Sequence, residues 1–359
     1  NESLSHVFEM PEVIADKKEE LEDVYAPFKP ISIEPNNDKT RKIRLIDAIR
    51  EGLEQSMEKY PNTVLMGQDV AEYGGVFKIT DGFLEKFGKS RIRNTPITES
   101  SILGAGLGLA IKGYKAIVEM QFADFVSCGF NQIANNLAKI HYRWGQAADV
   151  LVRMPCGAGV QAGPFHSQSM EAWFMHVPGL KIVYPAFPAD AKGLLASAIE
   201  EPNPILFFEH KKLYRSVEQE VPRDYYNIPL GKAAVVSQGK DASIITYGWG
   251  VHWALELKER LNLNIEIVDL RTLLPWDKEA VQKTVSKTNK VLVLHEASQT
   301  AGIGAEIAAW IGEKLFHQLD APVARVGSMD TAIPFAKNLE DQFLPLDEME
   351  IKLRELLTY

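Results

Sequence analysis

The sequence predicts an α/β protein in which a parallel sheet covered by helices is followed by a second, smaller α/β domain. Short apolar strands alternate with amphipathic helices from Thr40 onward, which is the pattern of βα units. Residues 216–229 interrupt this pattern with charged and aromatic residues and two prolines. The length of 359 residues also suits two domains. We therefore expect a first domain at 39–222 and a second at 223–359.

The first 38 residues differ from the rest and predict an extension. Residues 12–24 are rich in charge and suit a short surface helix, whereas residues 27–38 carry three prolines, as an extended linker does. Because the chain starts with Asn1 and not with Met, we also consider that it was cut from a longer polypeptide. Residues 1–38 are thus expected to be an arm or linker.

Each element of the first domain follows from local periodicity. Apolar residues three and four positions apart predict helices, and short continuous apolar runs predict buried strands. Helices are expected at 44–59, 101–112, 125–144 and 189–200. Strands are expected at 63–67, 115–120, 150–154, 180–185 and 204–209. The strand at 150–154 leads into a glycine-rich loop at 157–165.

The second domain repeats the alternation with shorter connections. Strands are expected at 233–237, 242–247, 265–270, 291–296 and 323–326. Helices are expected at 251–261, 280–287, 306–319 and 347–357. Strands that alternate with helices in this way predict a second sheet that is mainly parallel.

Composition excludes several functions. The formal net charge of −9 and the pI near 5.5 argue against a nucleic-acid or anionic-membrane surface, since phosphate binding needs concentrated Lys and Arg. The longest nearly uncharged apolar run, 102–111, is far too short to span a bilayer. Cys128 and Cys156 fit neither a disulfide framework nor a zinc pattern, so we expect reduced, buried thiols in a cytosol-like compartment.

Three glycine patterns are similar to nucleotide-binding loops, but each departs from the motif. The segment 82–90 has five residues between its glycines where a P-loop has four. Residues 104–108 do not follow a strand, so their small side chains predict close helix packing. Residues 302–306 lack the third glycine of a dinucleotide fingerprint, which favours a tight turn before a helix.

Two residues are candidates for chemistry on their context alone. His166 lies in a glycine-rich loop directly after a strand, where α/β proteins place functional groups. Glu99 precedes a very apolar helix. It is either a helix-capping acid or a carboxyl that shares a proton with a ligand nitrogen, and the residues by themselves favour the cap.

Eight segments resemble one known family, the β subunit of the thiamine-diphosphate-dependent component of 2-oxo-acid dehydrogenase complexes. The similar segments are NTPITES (94–100), EMQFADF (119–125), HSQSMEAWFMHVPGLKIV (166–183), DAKGLLASAIEEPNPILFFEHKKLYR (190–215), YYNIPLGKA (225–233), VDLRTLLPWD (268–277), LHEASQTAGIGAEIAA (294–309) and LDAPVARV (319–326). The resemblance is collinear and covers nearly everything from about residue 40 to the end.

This resemblance implies a fold and a set of site residues. The family has a pyrimidine-binding α/β domain followed by a transketolase-type C-terminal domain. Glu99 matches the acid that hydrogen-bonds the aminopyrimidine ring of the cofactor, and His166 matches a histidine that serves proton transfer or orientation during acyl transfer to lipoyl. Ile97, Gln121 and Phe125 match positions that line the pyrimidine, where an aromatic ring suits stacking.

One absence implies a partner. The motif that binds diphosphate and magnesium in these enzymes, Gly-Asp-Gly followed some thirty residues later by Asn, is missing from the sequence. By resemblance, an α subunit supplies that half of the thiamine diphosphate site and its Mg²⁺ in an α2β2 heterotetramer, or an α half does so in a fused chain. A lipoyl-bearing acyltransferase core is the expected further partner, in a bacterial cytoplasm or a mitochondrial matrix.

The resemblance also implies a structural potassium site in some members of the family, held largely by backbone carbonyls. The positions that match are Ala148, Val150, Leu151, Ala198, Glu201 and Asn203. Leu151 and Glu201 depart from the Thr and Asp expected at their positions.

The expected activity is the oxidative decarboxylation of a 2-oxo acid with transfer of the acyl group to lipoyl. QFADF, YYNIPL and DLRTLLPWD are closer to the branched-chain (2-oxoisovalerate) enzyme than to the mammalian-type pyruvate enzyme. Bacterial pyruvate and acetoin dehydrogenases share much of this pattern and stay open as alternatives. A non-catalytic subunit that docks the acyltransferase core is a second alternative, and the missing diphosphate motif disfavours a stand-alone transketolase-like enzyme.

Overall fold

The structure is a computed structural model that describes residues 2–12 and 14–359. Residue 13, within the surface helix expected at 12–24, and Asn1 lie outside the described residues. The strands are β1 (Thr40–Arg44), β2 (Thr63–Gly67), β3 (Ile92–Asn94), β4 (Lys115–Glu119), β5 (Val150–Cys156), β6 (Lys181–Val183), β7 (Ile205–His210), β8 (Glu218–Pro222), β9 (Ala234–Ser237), β10 (Ala242–Thr246), β11 (Ile265–Asp269), β12 (Thr272–Leu274), β13 (Val291–Ser298) and β14 (Ala324–Ser328).

The α-helices lie between these strands and in the extension. They are α1 (Glu2–Glu9), α2 (Lys17–Glu22), α3 (Leu45–Lys59), α4 (Phe83–Phe87), α5 (Glu99–Ile111), α6 (Ile140–Trp144), α7 (Glu171–Met175), α8 (Pro188–Glu200), α9 (Leu213–Ser216), α10 (Trp249–Leu261), α11 (Lys278–Thr288), α12 (Ile303–Lys314), α13 (Lys337–Phe343) and α14 (Leu346–Leu357). Helix α2 falls within the predicted range 12–24, whereas α1 was not predicted. None of the described helices is long and apolar enough to cross a membrane.

Two main sheets form the α/β fold that the sequence predicts. The first has seven strands in the order β12-β6-β7-β5-β4-β2-β3, all parallel except β12. The second has five strands in the order β14-β13-β10-β11-β9, with β9 antiparallel. Strand β5 is buried along its whole length, as expected for a parallel strand covered on both faces.

Strand β12 joins the two halves of the chain. It comes after the second sheet has begun, but Thr272 pairs with Val183 at the edge of the first sheet. One cluster of buried apolar side chains also includes Val152 and Phe208 from the first sheet and Ile245 and Ile307 from the second region. The two halves therefore share a hydrophobic core, and the domain bounds 39–222 and 223–359 stay a prediction.

The segment 125–144 is not the single helix that was predicted. It consists of a 3₁₀ helix at Ala123–Gly129, a π-helical stretch at Gln132–Leu137 and the short helix α6. Gly129 accounts for the first break, because a Cβ atom there would lie 2.2 Å from Leu103 Cδ1 of α5. Close packing against α5 thus takes precedence over helical periodicity.

Residues 216–229 are more ordered than the predicted break. Strand β8 pairs antiparallel with β1, and this register sets Thr40 opposite Pro222 and Arg44 opposite Glu218. Neither strand shows an apolar run, since β1 carries three basic residues and β8 carries two acidic ones. Such a ribbon is specified by its pairing partner, which local periodicity does not reveal.

The extension lies against the first domain beyond residue 24. The Tyr25 hydroxyl donates to the Leu180 carbonyl at 3.0 Å. Ala26 makes two hydrogen bonds with the Asn203 side chain, from its N–H to Oδ1 at 2.8 Å and from Nδ2 to its carbonyl at 3.0 Å. The proline-bearing segment is also tied to the rest of the chain, because the Ile33 N–H donates to Asn227 Oδ1 at 2.8 Å, and the segment is extended without regular secondary structure.

Candidate active site

The candidate site lies at the carboxyl edge of the first sheet, where parallel strands release their loops. Strand β2 ends at Gly67, which pairs with Asn94 of β3 and Glu119 of β4, so these three strands finish level with one another. The loops that follow them carry Gln68, Glu99 and Gln121. The fold thus brings the three loops that follow β2, β3 and β4 to one edge of the first sheet.

Glu99 is the first residue of helix α5 and is half-buried. Gln68 Nε2 donates to Glu99 Oε1 at 3.2 Å, and within residues 2–12 and 14–359 this is the one hydrogen bond to the Glu99 carboxylate. A carboxylate at a helix start is stabilised by the helix dipole, as the capping interpretation requires. Among the described residues its side chain makes no hydrogen bond to the helix amides, and both interpretations of Glu99 stay predictions.

The other predicted pyrimidine-lining residues surround this edge. Ile97 is 80 % exposed, although its side chain is large and apolar. Gln121 is half-buried, and its Nε2 donates to Asp69 Oδ2 at 3.1 Å. This sheet edge thus carries the apolar side chain of Ile97 and the polar side chains of Glu99 and Gln121. Glu99 and Gln121 make no hydrogen bond to each other, so both can still bind another group.

His166 contacts Phe125, the last predicted lining residue, and also Phe122. The His166 ring meets Phe122 edge to face with centroids 4.8 Å apart and Phe125 edge to face at 5.5 Å. The loop after β5 therefore reaches the segment after β4. The structure joins His166 to the predicted lining segment, while Glu99 and Ile97 lie along the same sheet edge on the β3 side.

Asp124 is a residue that the sequence analysis missed. It is buried, and its Oδ1 accepts hydrogen bonds from the backbone N–H groups of Ser167 at 3.2 Å and Gln168 at 3.1 Å. These are the two amides that follow His166. The signal was present, because Asp124 is the acid of the QFADF segment, but only the fold shows which backbone it faces.

Two carboxylates from the second domain bind the same loop. Glu296 Oε1 accepts from the Ala158 N–H at 2.7 Å, and Glu340 Oε1 accepts from the Gly159 N–H at 2.8 Å. Burial raises the pKa of Glu296, but the charge and hydrogen bond of His210 outweigh this and lower it overall. Both carboxylates connect the second domain to the loop that carries His166.

A buried ion network lies beneath the site within the first sheet. Arg153 is fully buried and donates to Glu119 Oε2 at 2.6 Å and to both oxygens of Glu209 at 2.7 and 2.8 Å. The Tyr214 hydroxyl donates to the same Glu209. Burial raises the pKa of Glu119, and the two carboxylates raise that of Arg153. Arg153 connects strands β4, β5 and β7, which a sequence pattern does not reveal.

A second buried cluster contains a carboxyl group with one unpartnered oxygen among the described residues. Tyr247 donates to Glu171 Oε1 at 2.7 Å, and Glu171 Oε2 has no partner among the described residues. Burial raises the pKa of Glu171 to about 7 and raises that of the Cys156 thiol. Both cysteines are free, and Cys156 is buried as expected. The expectation for Cys128 is wrong, because it is exposed on the irregular segment that replaces the predicted helix.

The side chains in the predicted potassium set are already bonded to the protein. Glu201 pairs with Lys181 at 2.7 Å and with Asn203 Nδ2, and Asn203 Oδ1 accepts from the Ala26 N–H. These side-chain oxygens are thus engaged within the chain, and the potassium site, which the resemblance assigns largely to backbone carbonyls, stays a prediction. Among the described residues no group of three or more His, Cys, Asp or Glu side chains could hold a metal ion.

Family comparisons agree with the two halves of the chain. Residues 41–217 match the family "Transketolase, pyrimidine binding domain" and residues 231–348 match "Transketolase, C-terminal domain". Among solved structures, a "Split gene transketolase, inactive beta4 tetramer" superposes with a TM-score of 0.71 at 22% identity, covering 88% of this chain and 98% of that one. At that identity the likeness concerns the fold.

Curated relatives are more similar in sequence. The 2-oxoisovalerate dehydrogenase subunit beta of Bacillus subtilis (strain 168) is 45% identical over 321 residues, covering 88% of this chain and 98% of the relative. The mitochondrial 2-oxoisovalerate dehydrogenase subunit beta 2 of Arabidopsis thaliana is 44% identical, covering 88% of both chains. The pyruvate dehydrogenase E1 component subunit beta of Acholeplasma laidlawii is 39% identical, covering 88% and 98%.

Proposed function

We propose a catalytic role for this chain, which belongs to the family of 2-oxo-acid dehydrogenase β subunits with transketolase-type pyrimidine-binding and C-terminal domains. In this role it provides the pyrimidine-binding half of a thiamine diphosphate site for the oxidative decarboxylation of a 2-oxo acid. The observation that carries the proposal is Glu99, a half-buried carboxylate at the sheet edge that is only partly bonded within the chain.

The residues present fit an aminopyrimidine ring. Glu99 has bonding capacity left for a ring nitrogen, and Ile97 offers an exposed apolar surface. Phe125 provides an aromatic ring, and Gln121 an amide, from the neighbouring loop. A flat heterocycle with polar edges needs this combination of stacking, apolar contact and hydrogen bonds.

Thiamine diphosphate, when bound, supplies the electron sink for decarboxylation. The contribution of this chain is to hold and move protons at defined atoms. Glu99 would hold a proton or a hydrogen bond at the pyrimidine nitrogen. His166, fixed between two aromatic rings, orients or protonates groups during acyl transfer to lipoyl.

The site is proposed to be complete only with an α partner. The diphosphate-binding and Mg²⁺-binding half has no counterpart in this sequence, and Ile97 is left exposed. An α subunit in an α2β2 assembly, or an α half of a fused chain, would cover this edge. The lipoyl-bearing acyltransferase core is the further partner that we propose, and the bacterial and mitochondrial relatives support a reaction in a cytoplasm or a matrix.

The substrate is proposed to be a branched-chain 2-oxo acid of the 2-oxoisovalerate type. The support is the higher identity to 2-oxoisovalerate dehydrogenase β subunits, 45% and 44%, than to the pyruvate relative, 39%. The test is to co-purify the chain with its α partner and compare kcat/KM for 2-oxoisovalerate and pyruvate. A higher value for pyruvate would assign the alternative activity, and no turnover of either would favour a docking subunit.

A further inference from the structure

The loop that carries His166 is closed on itself at its base. The Gly157 N–H donates to the Gln168 carbonyl at 3.5 Å, so the two ends of residues 157–168 meet. Gly157 has φ +89, and a Cβ atom there would lie 2.1 Å from His210 Nε2. The loop therefore leaves strand β5 through a position that only glycine fits. A compact loop of this kind is positioned by what binds its two ends.

Asp124 binds one end of the loop. Its Oδ1 accepts from the N–H groups of Ser167 and Gln168, which immediately follow His166. Asp124 is 6 % exposed, so these bonds are shielded from competing water. A carboxylate that accepts two amide hydrogen bonds fixes both peptide planes beside the histidine, since charge-assisted bonds are stronger than neutral ones.

Lys211 binds the other end. Its Nζ donates to the Gly157 carbonyl at 2.7 Å, and the side chain is 6 % exposed. Burial lowers the pKa of this ammonium. Gly157 and Gln168 are the two residues joined at the base of the loop. Lys211 binds the carbonyl of Gly157, and Asp124 binds the N–H of Gln168.

The segment that contributes Asp124 also holds the histidine ring. Phe122 and Phe125 contact His166 edge to face at 4.8 and 5.5 Å, while Asp124 lies between them in sequence and holds the backbone after His166. Residues 122–125 thus contact the ring of His166 and also bind the main chain directly after it. We infer that Asp124 and Lys211 are positioning residues that fix the His166 loop for acyl transfer, an inference that rests on the role proposed for His166.

The test separates two half-reactions of the complex formed with the α partner. Decarboxylation is followed with 2,6-dichlorophenolindophenol as electron acceptor, and acyl transfer with an isolated lipoyl domain. Asp124→Ala is expected to lower acyl transfer roughly 10- to 100-fold, because small misplacements of a reacting group cost about that much. The decarboxylation rate is expected to change less than about 2-fold, since His166 serves the later step.

Two further variants keep the test independent of folding. Asp124→Asn retains an oxygen that can accept both amide bonds and is expected to recover most of the acyl transfer. Lys211→Met acts on the other end of the loop and is expected to show the same split between half-reactions. Combining Asp124→Ala with His166→Ala is expected to add little to the loss caused by His166→Ala alone, because both changes remove one function.

The matched control is Asp277→Ala in the second domain. Asp277 is also a buried carboxylate that accepts two backbone amide bonds, from Ala233 and Ala280, at 3.1 and 3.0 Å. The Asp277→Ala variant is expected to lower thermal stability and to leave the ratio of the acyl-transfer rate to the decarboxylation rate unchanged. Equal losses in both half-reactions for Asp124→Ala, or no loss while His166→Ala impairs transfer, would overturn the inference. If His166→Ala leaves acyl transfer unchanged, the proposed role of His166 fails as well.

Discussion

The two sides of the candidate site differ in how far carboxylates of this chain hold the backbone around them. On the Glu99 side, the carboxylate has one hydrogen-bond partner among the described residues, Gln68, and Ile97 is 80 % exposed. On the His166 side, the buried carboxylates of Asp124, Glu296 and Glu340 all accept backbone amides of one loop. The first side has bonding capacity and apolar surface left, whereas carboxylates of this chain hold the loop on the second side. We call the Glu99 side the open side and the His166 side the closed side. This asymmetry is what the proposed shared site would require of one of its halves.

The largest effect is expected from a substitution of Glu99, on the open side. Glu99→Gln removes the acid while retaining its shape, and the decarboxylation rate of the complex is expected to fall roughly 10³-fold, within the usual range for loss of a general acid or base. Release of CO₂ from 2-oxoisovalerate measures this, and size-exclusion chromatography checks that assembly persists.

Glu54→Gln is the control for that change. Glu54 lies on helix α3 and pairs with Lys86 at the surface, so its loss is expected to leave turnover unchanged. Near-normal turnover of Glu99→Gln would refute the assigned role and would favour a helix cap or a docking subunit.

The contrast between the two sides also explains what the sequence could predict. Helices α3, α8 and α10 and the central strands carry strong apolar periodicity, so they were expected within a few residues. Strands β8 and β12 and the break at Gly129 depend on distant partners, and local patterns do not show such partners. His166 lies on a loop after a predicted strand and Glu99 precedes a predicted helix, which identified both as candidates, although their roles came from the resemblance.

The buried contacts could not be predicted because they join residues far apart in sequence. Arg153 and Glu209 are separated by 56 positions, and Ala158 and Glu296 by 138. Arg153, Glu209 and Glu296 each have the character of an ordinary charged residue in a strand or loop. Only the three-dimensional arrangement shows that these charges are buried and paired, a condition that sequence composition does not encode.

Removing the cation beneath the closed side is the next largest effect. Arg153→Met leaves Glu119 and Glu209 buried without their counter-ion and is expected to lower the free energy of unfolding by about 3–5 kcal/mol. Urea titration measures the change. Arg260→Met, which breaks an exposed pair with Glu350, is the control and is expected to have little effect. Equal effects of the two variants would mean that the buried network does not stabilise the sheet.

The buried carboxyl group of Glu171 predicts that the free energy of unfolding depends on pH. Burial raises its pKa from 4.5 to about 7, so the folded chain binds this proton more tightly than the unfolded chain does. This group therefore stabilises the fold least at high pH, and its contribution declines as the pH rises from about 4.5 to about 7. Glu171→Gln is expected to raise the free energy of unfolding at pH 8 by roughly 3 kcal/mol.

Urea titrations at pH 5 and pH 8 check the Glu171 prediction. The gain of the variant over the parent chain is expected to be small at pH 5 and large at pH 8. Glu279→Gln on the exposed start of helix α11 is the control and is expected to show no such change with pH. A gain that is the same at both pH values would contradict the assigned titration.

The smallest expected effect on stability concerns Ile97. Because this side chain is 80 % exposed, Ile97→Ala is expected to change the free energy of unfolding by less than about 0.5 kcal/mol while raising the KM for thiamine diphosphate in the complex. Ile102→Ala, five positions along and buried, is the contrast and is expected to cost about 2–5 kcal/mol. A stable Ile97→Ala variant with unchanged cofactor dependence would remove Ile97 from the site.

The most direct test of a shared site is turnover of 2-oxoisovalerate by the chain alone and with its α partner, both supplied with thiamine diphosphate and Mg²⁺. The account predicts no measurable decarboxylation by the chain alone and full activity once the partner is added at equal molar amounts. Cofactor-dependent decarboxylation by the isolated chain would show that it contains a complete site and would contradict the account.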